Sequence, residues 1–256
     1  MNARDGGHCD DGIDALAARE YEQAADFYTR GARSILADPR PDLSPFEADE
    51  KGWVGAALES LVVATVAYRV ADADSRATGR AVEGVAVTRD LKHGLAHPVQ
   101  HACLDEFVAD FRAAAELEGV AEAYESAVEA YESAADAVET PQARATTPLF
   151  EAAATPITQL ARGQSDGEIA ITWEDLHGSD PSDAGAFLSH RPAYKRQRFP
   201  GLVNRAVADS HLAAPRGTTA YGTDTYRCPE CGADDVNWTG NNVLCLRCST
   251  PVERKQ

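Results

Sequence analysis

The chain has 256 residues, with 41 Asp plus Glu against 24 Lys plus Arg, a formal charge of −17, 44% apolar content and six cysteines. That length suits one large domain or two smaller ones, and the apolar content argues against wholesale disorder. So negative a chain does not coat DNA or an anionic membrane with its whole surface.

Only four basic residues are lysines, Lys51, Lys92, Lys195 and Lys255, whereas alanine contributes 47 residues. This acidic, lysine-poor, alanine-rich composition resembles that of proteins from salt-accumulating halophiles. There, concentrated ions screen carboxylate repulsion to within roughly 3 Å at 1 M salt. Residues 1–9 are expected to form a flexible N-terminus, and Met1 to Asp14 has no apolar stretch for a signal peptide, so the expected location is cytoplasmic. Trp53 to Ala71 is long enough to span a membrane but contains Glu59, Ser60, Thr65 and Arg69, which predicts a buried globular helix and no membrane partner.

Charge and composition divide the chain. Residues 1–160 carry 29 acids and 13 bases, whereas residues 161–256 carry 12 and 11. Gly, Pro, Ser, Thr and Asp replace alanine beyond the same point, which places a boundary near Gly163–Gly167. Before it, apolar spacing predicts helices over 10–37, 46–72, 76–92, 98–117, 119–139 and 148–162. Pro39, Pro41 and Pro45 punctuate the first gap, Pro98 suits a first helical turn, and Pro141 and Pro148 bracket another connection. The expected fold is mainly α: an all-α domain over 10–162, built as an antiparallel bundle or repeat-like array, followed by a small β module.

Two segments echo one another. Tyr21-Glu22-Gln23-Ala24 is followed by Tyr28, and Tyr124-Glu125-Ser126-Ala127 by Tyr131. Tyr, Ala and Tyr at i, i+3 and i+7 share one helical face, where alanine lets a neighbour approach and the tyrosines fill flanking grooves. The pattern resembles the second helix of a tetratricopeptide repeat. The resemblance covers about two helices, lacks the Trp-x-x-Leu-Gly signature, and its copies are not spaced at the repeat's period. It implies a stack of helical hairpins offering a groove to a protein partner; simple bundle packing accounts for the same spacing. On helix 119–139, Glu122, Glu125, Glu129, Glu132, Asp136 and Glu139 line the face opposite the apolar stripe. Like charges so placed repel by about 0.2–0.5 kcal/mol per pair in dilute buffer.

The strongest motif is Cys228-Pro229-Glu230-Cys231-Gly232 with Cys245-Leu246-Arg247-Cys248-Ser249. Each Cys-x-x-Cys can form a knuckle presenting two thiolates, and Thr239-Gly240-Asn241-Asn242 supplies a hairpin turn between them. Four sulfurs then surround one cation at roughly 2.3 Å. The motif resembles a zinc ribbon, which implies one structural Zn²⁺ on Cys228, Cys231, Cys245 and Cys248 within a module over 223–256. Disulfides are disfavoured in a reduced compartment, and a redox pair requires a different setting. Iron suits four sulfurs as well.

Weaker constellations remain. His93, His97 and His101 would share a face on a continuous helix and could there ligate a second metal, but Gly94 and Pro98 interrupt it, so loop and capping roles are expected. His8-Cys9-Asp10 sits in a polar terminus. Residues 163–222 read as a connector, with a strand expected at Glu168–Trp173. The connector's basic segment over 191–205 holds Arg191, Lys195, Arg196, Arg198 and Arg205. Phe187, Tyr194 and Phe199 interleave with these cations, which could meet phosphates and stack bases, or could instead dock the acidic helical part. No phosphate loop, nucleophile elbow or zincin motif occurs, and paired acids such as Asp105-Glu106 and Glu174-Asp175 need not converge. The expectation is a non-enzymatic adaptor or scaffold with a protein partner and no small-molecule substrate. The alternative is a nucleic-acid-binding regulator using the basic segment and the ribbon.

Overall fold

The structure, a computed structural model, describes residues 7–37, 52–95, 97–164 and 170–255. The helices run in the order α1 (His8–Ala17), α2 (Tyr21–Ala37), α3 (Gly52–Val70), α4 (Asp74–His93), α5 (Pro98–Ala114) and α6 (Val120–Ser133). Then come α7 (Pro141–Ala145), α8 (Pro148–Gly163), α9 (Trp173–Leu176) and α10 (Ala184–Ala208). Links as short as Ala18–Glu20 and Ala71–Ala73 turn each helix back on its predecessor, so α1 to α6 pack in sequence order. Helices α8 and α10 close the array against α3, α5 and α6. The fold is mainly α, with a small antiparallel sheet region at the C-terminal end.

Several expectations change. The span 10–37 is two helices, because Arg19 adopts a left-handed φ of 60° and reverses the chain. No glycine or proline marks that turn, and the apolar period continues across it. His8 and Cys9 belong to α1 rather than to a flexible terminus; residues 1–6 lie outside the described residues. The predicted start of helix 46–72 and the prolines at 39, 41 and 45 also lie outside them. The strand expected at 168–173 is not formed by its described part. Ile171 is irregular, and Thr172 caps α9 by accepting from the Asp175 amide while the Asp175 carboxylate accepts from the Thr172 amide.

The largest correction concerns the connector. Residues 184–208 form a 25-residue helix built into the bundle. Its inward stripe is Phe187, Leu188, Arg191, Lys195, Phe199, Val203 and Ala206. Two inward cations, together with Pro192 and Pro200 inside the helix, hid that period from a reading based on apolar residues.

Helix α3 is central. It has the length and composition to cross a membrane, and 78% of that window is buried inside the fold. A helix apolar on all sides is what an interior position requires.

The C-terminal region contains β1 (Thr218–Ala220), β2 (Tyr226–Arg227), β3 (Val236–Thr239), β4 (Asn242–Cys245) and β5 (Glu253–Arg254). Strand β3 lies between β1 and β4 in one antiparallel sheet, and β2 pairs with β5 in another. The sheet module therefore begins at Thr218, ahead of the expected start at residue 223, because Thr218 pairs with Trp238.

Candidate metal centre

The hairpin β3–β4 sets the site. Val236 faces Cys245 and Trp238 faces Val243 in register. Gly240 supplies the positive φ, 57°, that a two-residue hairpin loop needs. Each Cys-x-x-Cys then closes a tight knuckle of the same design. The Gly232 amide donates to the Cys228 carbonyl at 3.0 Å, and the Ser249 amide donates to the Cys245 carbonyl at 3.0 Å. The residue behind each knuckle takes a left-handed φ, 74° at Gly232 and 58° at Ser249. The Cys231 amide also points at the Cys228 sulfur, 3.5 Å away.

The two knuckles bring all four sulfurs within 4.8 Å of one another. Cys228 and Cys248 are 3.6 Å apart, Cys231 and Cys245 3.5 Å, and Cys231 and Cys248 3.8 Å. A covalent disulfide would need about 2.0 Å, and all four thiols are free. A tetrahedron with metal–sulfur bonds of about 2.3 Å has edges of about 3.8 Å. The spacing therefore fits one cation, and this four-cysteine group could hold one metal ion. Cys228 and Cys245 are buried and Cys231 is exposed, so one side of the cluster faces solvent.

The cluster is joined to the helices. The Asn242 amide donates to Asp14 of α1. A Cβ on Gly240 would come within 2.9 Å of the Asp10 carboxylate and 3.4 Å of Ile13. Arg162 of α8 donates to the Leu246 carbonyl at 3.3 Å, and the Ala214 amide donates to Ser249 Oγ at 3.2 Å. Leu244 belongs to the same apolar core as the helices. Between α1, α2, α3 and the hairpin lies a cleft of about 950 Å³, lined by Ile13, Tyr28, Glu59, Arg216 and Trp238 among others. Burial raises the Glu59 carboxyl to about 8.

The basic segment is split by its helix. Arg191 and Lys195, 2% and 0% exposed, point into the bundle. Arg191 meets Glu106 through two hydrogen bonds, and Lys195 bridges Glu106 at 2.8 Å and Asp110 at 2.6 Å. Tyr131 donates to Glu106 at 3.0 Å and Tyr124 donates to Asp110 at 2.7 Å. Burial opposes ionisation of Glu106, but Arg191 and Lys195 together hold its pKa well below the usual carboxylate range. Arg191 and Lys195 thus cannot reach a nucleic-acid phosphate in this fold. Phe187 and Phe199 are buried too and offer no stacking face. Arg196, Arg198 and Arg205 point outward; Arg196 lies 3.8 Å from Glu125, and Arg198 stands over the Tyr194 ring.

His97 caps α5, its ring nitrogen accepting from the Val99 amide at 3.3 Å, and His101 contacts the Leu95 carbonyl at 2.9 Å. Among the described residues the four cysteines are the one metal-ligand cluster. Asp110 and Arg162 were not singled out from the sequence, and Glu106 was named only as half of the Asp105-Glu106 pair, but Glu106 and Asp110 are the two acids that matter here. A signal existed for Glu106 and Asp110: they stand at i and i+4 on the apolar face of α5, the spacing at which Arg191 and Lys195 stand on α10.

Compared with known protein families, curated proteins and solved structures, the chain finds no match.

Proposed function

We propose that the chain is a non-enzymatic adaptor in which one structural Zn²⁺, held by Cys228, Cys231, Cys245 and Cys248, fixes a zinc ribbon against a helical array. The cleft between them receives a segment of a protein partner. The observation that carries this reading is the cleft itself, walled on one side by three helices and on the other by the metal-supported hairpin. Four sulfur ligands leave no coordination position for an activated water, so the metal's role is to stabilise a small module with little apolar core. The other charged cluster, around Glu106, is fully buried and internally paired, which favours a scaffold over a reaction centre.

The tyrosine–alanine echo on α2 and α6 supports reading the helices as a repeat-like stack. The acidic exposed faces suit a cytoplasm rich in salt. Tyr28, Ile13 and Trp238 give the cleft an apolar and aromatic wall, and Glu59, which keeps its proton at neutral pH, adds a hydrogen-bond donor, so the partner segment carries an apolar residue beside a hydrogen-bond acceptor.

The test is capture by full-length protein at molar salt, with captured protein and nucleic acid both identified, alongside metal analysis. The expected result is one zinc per chain and a protein that Trp238→Ala and Glu59→Arg both release. Capture of nucleic acid that falls steeply with salt and is abolished by Arg196→Glu with Arg198→Glu would instead establish the regulator reading through the outward face of α10.

A further inference from the structure

Arg162, in the last turn of α8, is 3% exposed. Its Nη1 donates to the Leu246 carbonyl oxygen at 3.3 Å. Its Nε and Nη2 are buried without a hydrogen-bond partner. Those two nitrogens form one edge of the guanidinium, and elsewhere in this protein the same edge takes a carboxylate. Arg191 presents it to Glu106 at 2.8 and 2.9 Å, Arg33 to Glu83 at 3.1 Å twice, and Arg247 to Asp235 at 3.0 and 2.9 Å. A buried cation with that edge unmatched destabilises the fold that contains it.

The residue lines a cavity of about 350 Å³, with Thr155, Thr158, Ile171, Pro215 and Arg216 among the other walls. No acidic side chain among the described residues lines it, and Arg216 adds a second positive charge. Burial and the field of Arg216 lower the Arg162 pKa to about 10, which leaves it charged at neutral pH. The Gln159 amide donates to the Ala213 carbonyl at 2.7 Å and fixes the 213–216 segment against α8, so the cavity is built rather than open loop.

We propose that this cavity binds an organic carboxylate, drawn by the charges of Arg162 and Arg216, with the Arg162 side chain turning its sealed, unmatched Nε–Nη2 edge onto the two oxygens and the apolar body lying against Ile171 and Pro215. The bidentate fit follows from guanidinium geometry. A bare inorganic anion would match the charge but leave the apolar wall uncovered. The site is a different cavity from the partner cleft, although Pro215 and Arg216 border both.

Thermal unfolding of the full-length protein, titrated with sodium hexanoate at constant sodium, tests this, with sodium chloride and sodium phosphate as comparisons. Hexanoate is expected to give a saturable rise in Tm that the inorganic anions do not give. Arg162→Met removes a buried charge and is expected to fold; it should weaken hexanoate binding more than about tenfold. Arg162→Lys, which keeps the charge but loses the fork, should weaken it as well, and contacts between hexanoate and Ile171 methyls should be visible by NMR in the parent alone. No saturable response to hexanoate, an equal response to phosphate or chloride, or an unchanged response in Arg162→Met would each overturn the proposal. Loss of partner capture leaves these readouts unaffected.

Discussion

Arg191 and Glu106 stand 85 residues apart in the chain yet meet side by side through hydrogen bonds of 2.8 and 2.9 Å, with neither side chain open to solvent. Lys195 and Asp110 repeat the relationship one helical turn on. Two cations of α10 thus pair with two acids of α5 at matched i, i+4 spacing, and this match fixes where the long helix lies. Buried ion pairs are weak contributors to net stability, but one partner left alone is strongly destabilising.

Glu106→Gln should therefore lower unfolding stability by about 3–5 kcal/mol, measured by urea denaturation, because Arg191 keeps no full counter-charge. The neutral double variant Glu106→Leu with Arg191→Met should recover most of that loss. A double variant as unstable as the single one would show that the pair does more than cancel its own burial.

Glu59 gives a pH signature. In the folded chain it holds its proton up to about 8, whereas the unfolded value is 4.5. Between those values the folded state binds more protons, so this group makes stability fall as pH rises through that window. Glu59→Gln should remove that slope and raise stability by about 1–2 kcal/mol at the alkaline end, the figure being reduced for partial exposure to the cleft. Chemical denaturation of both proteins across the window reads the difference.

Removing a metal from the four-cysteine site should reach beyond the sheet module. In a Trp53→Phe, Trp173→Phe background, Trp238 reports on the hairpin, and a chelator or Cys245→Ser should shift its emission toward that of exposed indole. Helical circular dichroism should persist at low temperature, but the helices should melt earlier, since Asp14, Arg162 and Ala214 lose partners on the hairpin and second knuckle. An unchanged helical Tm would show the two parts to be energetically independent.

Helix α6 ends at Ser133, so of the acidic stripe Glu122, Glu125, Glu129 and Glu132 stand on regular helix, all exposed. Three like-charged steps of about 0.2–0.5 kcal/mol each make added KCl worth roughly 0.6–1.5 kcal/mol to this helix. Urea titrations at low and molar KCl should show that gain, and Glu125→Gln with Glu129→Gln should reduce it.

The echoing tyrosines show where a local pattern stops being informative. Both copies face inward, as their spacing requires. Yet Tyr124 and Tyr131 donate to buried carboxylates, whereas Tyr28 lines the cleft and Tyr21 meets His211 at 3.3 Å. Identical spacing determined the face and not the task, because the hydroxyl's partner comes from another helix.

The sequence by itself determined the helices whose apolar period is unbroken, the hairpin between the knuckles, and the four sulfurs, since all of these depend on residues a few positions apart. Only the tertiary structure decided the turn at Arg19, the place of α10 and the unmatched edge of Arg162. The turn was hidden because no glycine or proline marks it and the apolar period runs across it; for α10 and Arg162 the reason is shared. A charged side chain reads as surface until a partner distant in the chain neutralises it, and a buried polar group acquires meaning only from what the fold sets, or leaves open, opposite it.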